Sequence, residues 1–248
     1  MWDGRDGQRR RDDSAFAEFE SMRVTTFAVA FRRRRSVQAP ARAWYAWSMV
    51  TLYHLPKSRS SRFVWLLEEI GEPYEVKLVT PRRREDGTFE KDPDYLRIHP
   101  HGKVPAIVHE GVTVFESAAI ALYLSDAFPS ANVGVAIGDP RRGPYLTWLA
   151  YYAGVMEPAF VGKALGFTTT NSTTGWAPTD DILAYVSATL KRGPYLLGEQ
   201  FSTADVLFGS TFALFKGSPL LPNDEAIAAY IERVSQRPAY LRAAAKHG

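Results

Sequence analysis

The sequence predicts an α/β domain followed by an all-helical domain, and two patterns support this fold class. Between residues 49 and 128, short β-branched and aromatic stretches alternate with amphipathic helical repeats, which is typical of a mixed α/β layer. From residue 141 to 248 we identify only helical repeats, and residues 129–140 form a linker that contains Gly, Asn and Pro. With 248 residues, 46% of them hydrophobic, the chain is long enough to bury two modest cores.

The first domain opens with a strand, a helix and a second strand. Val50–Leu55 is β-branched and aromatic and ends at Pro56, which predicts a buried strand. Gly71 stops the helix that follows. Its apolar residues recur at helical spacing, at Phe63, Leu66, Leu67 and Ile70. Tyr74–Val79 is predicted to be the second strand.

The rest of this domain is predicted to contain a hairpin and a closing helix. Pro81–Asp94 is a polar, Arg-rich loop with room for a small helix. The end of His99–Val108 predicts a third strand, which a turn at Glu110 joins to Val112–Phe115. Ser117–Phe128 then has helical spacing.

Clear start and stop signals delimit the helices of the second domain. Arg141–Leu165 is the first helix, and a loop rich in Thr and Ser separates it from Thr179–Leu190. Asn223–Val234 is a further helix with a buried apolar face. Between them, Ser202 and Asp205 have the spacing of a capping box, in which each side chain can bond a backbone N–H of the other.

The charge is uneven along the chain. Residues 1–48 contain ten arginines and six acidic residues, a net charge of +4, whereas the remainder carries −1. The segment lacks apolar periodicity, so we expect a disordered Arg-rich extension with no nucleic-acid role, and Met49 is an alternative start of the chain. A salt-dependent nucleic-acid interaction of this extension is the opposing hypothesis.

Composition excludes several kinds of site. The chain has no cysteine, so it has no disulfide, no thiolate metal ligand and no cysteine nucleophile. His99 and His101 have no further ligand at metal-binding spacing, so we predict no metal site. No apolar run reaches the length of about 18 residues that a membrane-spanning helix requires, and we therefore expect no membrane contact.

Four sequence segments together resemble the glutathione transferase superfamily over residues 49–248. In order along the chain they are Pro-Lys-Ser-Arg-Ser-Ser-Arg (56–62), Gly-Lys-Val-Pro-Ala (102–106), Glu-Ser-Ala-Ala-Ile (116–120) and Phe-Ser-Thr-Ala-Asp (201–205). The resemblance implies a thioredoxin-like domain over 49–128, a helical-bundle domain over 141–248, a serine-type, theta-like active-site loop, a homodimer and a cytoplasmic location. It also implies glutathione as co-substrate, with no permanently bound cofactor.

The residues between the first strand and first helix predict a donor for the glutathione thiolate. A hydroxyl beside a helix N-terminus stabilises a thiolate by a hydrogen bond and by the helix dipole. Ser58 is our first choice, because it stands four residues before Arg62, as the activating serine does in the serine-type members. Ser60 or Ser61 takes this role if the loop is shifted, and one of the serines is expected to be a helix cap. Tyr53, the position that corresponds to the phenol of tyrosine-type members, is the alternative.

The other two segments are implied to hold the glutathione backbone. In the family a cis peptide precedes the proline of the second segment, so Val104 and Pro105 are expected to present backbone groups to the cysteinyl part. Lys103 is expected near the glycyl carboxylate. An acid just before a helix can pair with the γ-glutamyl ammonium while the hydroxyl and first N–H groups hold its carboxylate, which assigns Glu116 and Ser117. A plain helix cap is the alternative for this pair.

The resemblance places the helix that begins at Arg141 over the thiol. Tyr152 and Met156 are candidates for the electrophile site, with core packing as the alternative. The predicted function is attack of enzyme-activated glutathione thiolate on a small apolar electrophile. Isomerase, peroxidase or dehalogenase chemistry on the same scaffold, or a non-catalytic interaction module, are the alternatives.

Overall fold

A computed structural model describes residues 49–83, 89–167 and 174–247. The prediction of a disordered extension over 1–48 lies outside the described residues. Within them the chain forms a mixed sheet followed by a bundle of helices, which confirms the predicted fold class. No helix in the described ranges has the length and apolar character needed to cross a membrane.

The main sheet has four strands in the order β2-β1-β5-β6. β1 pairs in parallel with β2 and antiparallel with β5, which in turn pairs antiparallel with β6. A separate two-stranded ladder joins β3 and β4. The strands are β1 (Val50–His54), β2 (Tyr74–Leu78), β3 (Arg82–Arg83), β4 (Phe89–Glu90), β5 (Ala106–His109) and β6 (Val112–Phe115).

The helices of the described ranges occupy both halves of the chain. They are α1 (Ser61–Ile70), α2 (Pro93–Leu96), α3 (Ser117–Ala127), α4 (Arg142–Tyr151), α5 (Glu157–Ala164), α6 (Thr179–Leu190), α7 (Thr203–Phe215), α8 (Glu225–Ser235) and α9 (Pro238–His247). A π-helical turn, Tyr152–Met156, connects α4 to α5 without a break.

Most element boundaries agree with the sequence signals. Helix α1 ends at Ile70 because Gly71 adopts the left-handed conformation, with φ of 79°, and closes the helix with an N–H bond to Leu67. The capping box at α7 is present, and the Asp205 carboxylate also accepts from the backbone N–H of Leu196. The sequence did not predict the β3–β4 ladder, the π-helical turn or α9.

Helix α1 lies between the sheet and the helical half. Its apolar side chains belong to one hydrophobic core that also includes α7, α8 and α9. Gly209 on α7 permits close packing, because a Cβ there would stand 2.9 Å from Val234 Cγ2 and 3.6 Å from the Trp65 ring. The N-terminal end of α1 is thereby held in a fixed position relative to the sheet and the bundle.

Candidate active site

Three loops meet at one edge of the sheet because of the strand register. Tyr53 at the end of β1 pairs with Ala106 at the start of β5, and Ala106 pairs with Phe115 at the end of β6. The loop after β1, the segment before β5 and the start of α3 after β6 therefore lie side by side. These are the three segments to which the sequence assigned glutathione contacts.

The loop before α1 holds a hydrogen-bonded pair of serines. Ser58 Oγ lies 2.7 Å from Ser60 Oγ and donates to the Leu55 carbonyl at 2.7 Å. Ser60 Oγ also accepts from the Leu55 N–H at 3.0 Å and lies 2.8 Å from His54 Nδ1. His54 and Ser60 are both fully buried, whereas Ser58 is partly exposed. Ser58 is therefore the member of the pair that a ligand can reach.

The other candidates for thiol activation lie in different surroundings. Ser60 occupies the N-cap position of α1, as was expected of Ser60 or Ser61, but its side chain makes no capping bond. Ser61 Oγ is buried and has no hydrogen-bond partner among the described residues. Tyr53 is partly buried, and its ring stacks obliquely on Tyr95 with centroids 5.3 Å apart.

The segment before β5 has the expected backbone form, since the Val104–Pro105 peptide bond is cis. Pro105 is buried and Val104 is partly buried, while the Lys103 side chain is exposed. The Tyr95 hydroxyl donates to the Lys103 carbonyl at 2.5 Å and fixes this turn. Lys103 thus presents an ammonium group at the sheet edge.

The start of α3 has an unusual backbone. Glu116 has φ of 72°, a region that a non-glycine residue rarely adopts and that often marks a functional site. Its side chain is exposed and does not cap the helix, which disfavours the plain helix-cap alternative. The first N–H groups of α3, beginning at Ser117, are positioned for an anion. Burial is the main cause that lowers the pKa of the nearby His99, and the negative charge of Glu116 opposes it.

A buried ion network lies directly under the serine loop. The Arg62 guanidinium, on a side chain 5% exposed, bonds the Tyr152 hydroxyl and Thr211 Oγ1. Glu157 on α5 accepts from Tyr152 and pairs with Arg59 at 2.7 Å. Burial raises the pKa of the Glu157 carboxyl, but the hydrogen bonds from Arg59 and Tyr152 lower it more, so it lies below its usual range. The network ties the loop to the helical half.

The structure places the predicted electrophile contacts, Tyr152 and Met156, in the core instead of in a cavity. Tyr152 is 1% exposed and Met156 is 0% exposed. Burial raises the pKa of Tyr152 to about 12, and its hydroxyl is occupied by Arg62 and Glu157. Since neither side chain reaches a cavity in this conformation, the core-packing alternative describes them.

A cavity of about 280 Å³ opens beside the serine loop. Lys57, Ser58, Ser61, Arg62 and Trp65 line one side of it. Small and apolar side chains of α7 and α9 line the other side, namely Ser210, Ala213, Leu214, Tyr240, Ala243 and Ala244. The α9 part of this wall was not predicted from the sequence, although the spacing of Ala239 and Ala243, both buried, is helical.

The described residues contain no group of three or more His, Asp or Glu side chains that could hold a metal ion. His99 and His101 lie near each other, with ring centroids 6.1 Å apart. His99 Nδ1 accepts the backbone N–H of His101 at 3.2 Å. The polar groups at the sheet edge are therefore hydroxyls, backbone N–H groups and exposed charges.

A thioredoxin-like domain joined to a helical bundle, with three loops meeting at the sheet edge, defines the class of protein. The model of the glutathione S-transferase N-terminal domain family matches residues 48–126. The chain is 31% identical over 176 residues to glutathione S-transferase 3 of Schizosaccharomyces pombe, which covers 63% of this chain and 70% of the relative. The chain therefore belongs to the glutathione S-transferase family.

Two further similarities extend this comparison. The disulfide-bond oxidoreductase YfcG of Escherichia coli is 28% identical over 172 residues, covering 64% of this chain and 76% of that protein. The structure of a sphingomonad glutathione S-transferase complexed with glutathione is 26% identical, with a TM-score of 0.62 over 80% of this chain and 98% of that chain.

Proposed function

We propose that this protein stabilises the thiolate of bound glutathione through Ser58 and transfers it to an apolar electrophile. The observation that carries the proposal is the position of Ser58 Oγ. It lines the cavity beside the N-terminal end of α1 and lies in the loop that the strand register brings next to Pro105 and Glu116.

The chemical task is to change the ionisation of the thiol. A thiol with the ordinary pKa of about 8.5 is only a few per cent thiolate at neutral pH. A shift of about two units stabilises the thiolate by roughly 2.7 kcal/mol and makes it the dominant form. The Ser58 hydroxyl donates to the sulfur, the N-terminal end of α1 adds a favourable dipole, and the thiol proton leaves to solvent.

The remaining contacts hold the tripeptide in place. Val104 supplies backbone groups for the cysteinyl part, next to the cis bond to Pro105. The exposed Lys103 ammonium meets the glycyl carboxylate, and the exposed Glu116 carboxylate meets the γ-glutamyl ammonium. The N–H groups at the start of α3, with the Ser117 hydroxyl, hold the γ-glutamyl carboxylate.

The cavity between α1, α7 and α9 is the proposed electrophile site, in place of Tyr152 and Met156. Its α7 and α9 walls carry alanine, leucine and tyrosine side chains that suit a small apolar molecule, while Lys57, Ser58 and Arg62 line its polar side. Its position beside Ser58 puts a bound electrophile next to the sulfur, which is the proximity that a bimolecular attack requires.

The experiment that tests the thiol assignment compares Ser58→Ala with Tyr53→Phe. Loss of the Ser58 hydroxyl is expected to raise the pKa of the bound thiol by one to two units, which corresponds to roughly 1.4 to 2.7 kcal/mol. Conjugation near neutral pH is then expected to slow by about tenfold or more, while glutathione affinity changes little. Thiolate absorbance as a function of pH measures the shift directly. A shift in Tyr53→Phe with none in Ser58→Ala assigns the role to Tyr53.

The electrophile site has a matched pair of variants on α9. Ala244→Leu adds bulk to the cavity wall, whereas Ala245→Leu adds the same bulk one residue further on, outside that wall. We expect Ala244→Leu alone to raise KM for an apolar electrophile by about tenfold, as lost apolar burial of this size predicts. Equal effects of the two variants would disprove the location of the site.

Glutathione-dependent disulfide reduction is the second candidate, because one relative is named a disulfide-bond oxidoreductase. This chain has no cysteine, so the glutathione thiolate itself would attack the disulfide, cleave the S–S bond and leave a mixed disulfide and a free thiolate. Turnover of a small disulfide faster than that of any apolar electrophile would favour this activity. Absence of glutathione binding at millimolar concentration would favour a non-catalytic module.

The oligomeric state is proposed from the family resemblance alone. We propose a homodimer in which the first domain of one subunit contacts the helical domain of the other. Light scattering at micromolar concentration is expected to give twice the mass of 27.7 kDa, and a monomeric mass would contradict the proposal.

A further inference from the structure

A buried histidine is connected to Ser58 through one intervening hydroxyl. His54 Nδ1 lies 2.8 Å from Ser60 Oγ, which lies 2.7 Å from Ser58 Oγ. His54 and Ser60 are both 0% exposed. The resemblance assigns no role to His54, and nothing in the thiol chemistry described above uses it.

The direction of the hydrogen bonds from His54 through Ser60 to Ser58 follows from counting the protons on these groups. Each serine hydroxyl has one proton to donate and two lone pairs that accept. When Ser58 donates to a thiolate, its lone pairs are free to accept from the Ser60 N–H at 3.2 Å and from Ser60 Oγ–H. Ser60 Oγ then accepts from the Leu55 N–H and from a protonated His54 Nδ1. In this arrangement both lone pairs of Ser60 Oγ are occupied, so it cannot accept from Ser58, and its own proton goes to Ser58 Oγ or to the Leu55 carbonyl at 3.1 Å.

In the other tautomer of His54, Nδ1 carries no proton and its hydrogen bond with Ser60 Oγ runs in the opposite direction. An unprotonated Nδ1 accepts the Ser60 proton, so Ser60 Oγ can only accept from Ser58. Ser60 Oγ then competes with the ligand for the Ser58 proton, together with the Leu55 carbonyl. The protonation of one buried nitrogen therefore sets how many acceptors compete with glutathione for the Ser58 proton.

We propose that His54 is a positioning residue whose protonated Nδ1, acting through Ser60, directs the Ser58 hydroxyl toward the glutathione sulfur. Hydrogen bonds in series strengthen one another in a buried, low-dielectric region, so the chain also makes Ser58 a better donor. In the free protein Ser58 donates to the Leu55 carbonyl, and glutathione binding redirects that proton. This inference rests on the proposed function, in which Ser58 contacts the thiolate.

The test measures the pKa of the bound thiol in variants of the two buried residues. His54→Leu and Ser60→Ala each break these hydrogen bonds and are expected to raise the thiol pKa by roughly 0.5 to 1 unit, with roughly 1.5- to 3-fold slower conjugation near neutral pH. His54→Asn keeps an N–H near the position of Nδ1 and is expected to restore most of the wild-type pKa. In the double variant His54→Leu/Ser60→Ala the two shifts are expected not to add, because both break the same chain.

Ser125→Ala is the matched control for loss of a buried hydroxyl. Ser125 is 5% exposed and bonds the Tyr145 hydroxyl at 2.9 Å, far along the chain from the serine loop. Its replacement is expected to lower the melting temperature and to leave the thiol pKa unchanged. A shift in this control as large as that in Ser60→Ala would show that general destabilisation moves the thiol pKa, and that the hydrogen bonds of His54 and Ser60 do not.

The outcomes separate this inference from the proposed function. If Ser58→Ala raises the thiol pKa while His54→Leu and Ser60→Ala leave it at the wild-type value, the positioning role of His54 is wrong and the role of Ser58 stands. If Ser58→Ala has no effect on the thiol pKa either, the assignments of both Ser58 and His54 fail. Additive shifts in the double variant would also contradict the role of His54.

A measurement on the unmodified protein covers the case in which a variant does not fold. Nitrogen NMR of the imidazole rings distinguishes a protonated from an unprotonated Nδ1. We expect His54 Nδ1 to be protonated in the glutathione complex. An unprotonated Nδ1 there would overturn the proposal.

Discussion

The two ends of α1 use polar side chains in opposite ways. At the N-terminal end, the serines of the loop are neutral hydroxyls, and Ser58 and Ser61 face a cavity. At the C-terminal end, Glu68 and Glu69 are ionisable groups, and cationic side chains from the last part of the chain bind both of them. Ser58 at the N-terminal end is therefore open to a ligand, whereas the fold itself occupies both carboxylates at the C-terminal end.

The C-terminal end needs this compensation for a physical reason. Carboxylates near a helix C-terminus face the negative end of the helix dipole, which is unfavourable, and the last turn of α1 has no basic residue of its own. Arg237 binds Glu69 through two nitrogens, at 2.6 and 2.8 Å. Arg242 and Lys246 of α9 bind Glu68 at 2.8 and 2.5 Å. The acids of α1 thus fix the position of α9, which forms a wall of the cavity.

The largest expected effect comes from the one buried charge at the N-terminal end. Arg62→Met removes the buried cation that bonds the Tyr152 hydroxyl and pairs with the Glu157 carboxylate, so we expect a loss of about 3 kcal/mol in the free energy of unfolding. Arg59→Met removes the exposed partner of the same carboxylate and is expected to cost less than about 1 kcal/mol. Denaturant unfolding measures both, and equal losses would show that burial does not distinguish the two arginines.

A smaller loss is expected at the C-terminal end. Glu68→Gln weakens the bonds to Tyr74, Arg242 and Lys246, and the two cations, which are about half exposed, recover water. We therefore expect a loss of about 1 to 2 kcal/mol in the free energy of unfolding, with no change in the pKa of the bound glutathione thiol. A change in that pKa would show that the two ends of α1 are not independent.

The same carboxylate predicts a dependence of stability on pH. Burial raises the pKa of Glu68, but hydrogen bonds from Lys246, Tyr74 and Arg242 outweigh it and lower the pKa from 4.5 to about 2. The unfolded chain therefore takes up the proton first as the pH falls, and the contribution of Glu68 to stability disappears between those two values. Unfolding of wild type and Glu68→Gln over this range is expected to show a difference above pH 4.5 that shrinks toward pH 2. A difference that persists at the low end would contradict this assignment.

The smallest effect is expected from Lys246→Met. The ammonium is about half exposed and shares Glu68 with Arg242, so the pair is expected to contribute less than about 1 kcal/mol. Raising the salt concentration is expected to remove this difference by screening. A loss as large as that of Glu68→Gln would indicate that Lys246, and not Arg242, holds α9 in place.

Local signals in the sequence were sufficient to predict most of the fold. Gly71 ended α1 and the capping box began α7 because both signals act within one turn of the chain. Helix α9 begins at Pro238, where a proline is a local start signal, and it was missed although this signal and the helical spacing of Ala239 and Ala243 were present. The β3–β4 ladder was missed because two-residue strands have no measurable periodicity.

The candidate site was predicted unevenly for a related reason. The order of the elements along the chain determines the strand register that brings the three loops together. The contacts of Ser58, Lys103 and Glu116 could therefore be proposed from the sequence motifs in those loops. Whether a residue on a helix faces the core or a cavity depends on the packing of all neighbouring helices. The helical spacing of Tyr152 and Met156 could not decide this, and both side chains lie in the core.

The π-helical turn Tyr152–Met156 affects how this chain is aligned with its relatives. A π turn accommodates one more residue than an α turn, and such turns often occur at functional sites. The extra residue sets the rotational phase of α5, which brings Glu157 to Arg59 and Arg62. A relative with an unbroken α-helix here would match this chain only with a one-residue gap inside the helix. An ungapped alignment would pair Glu157 with the wrong residue and hide the ion network from any comparison of sequences.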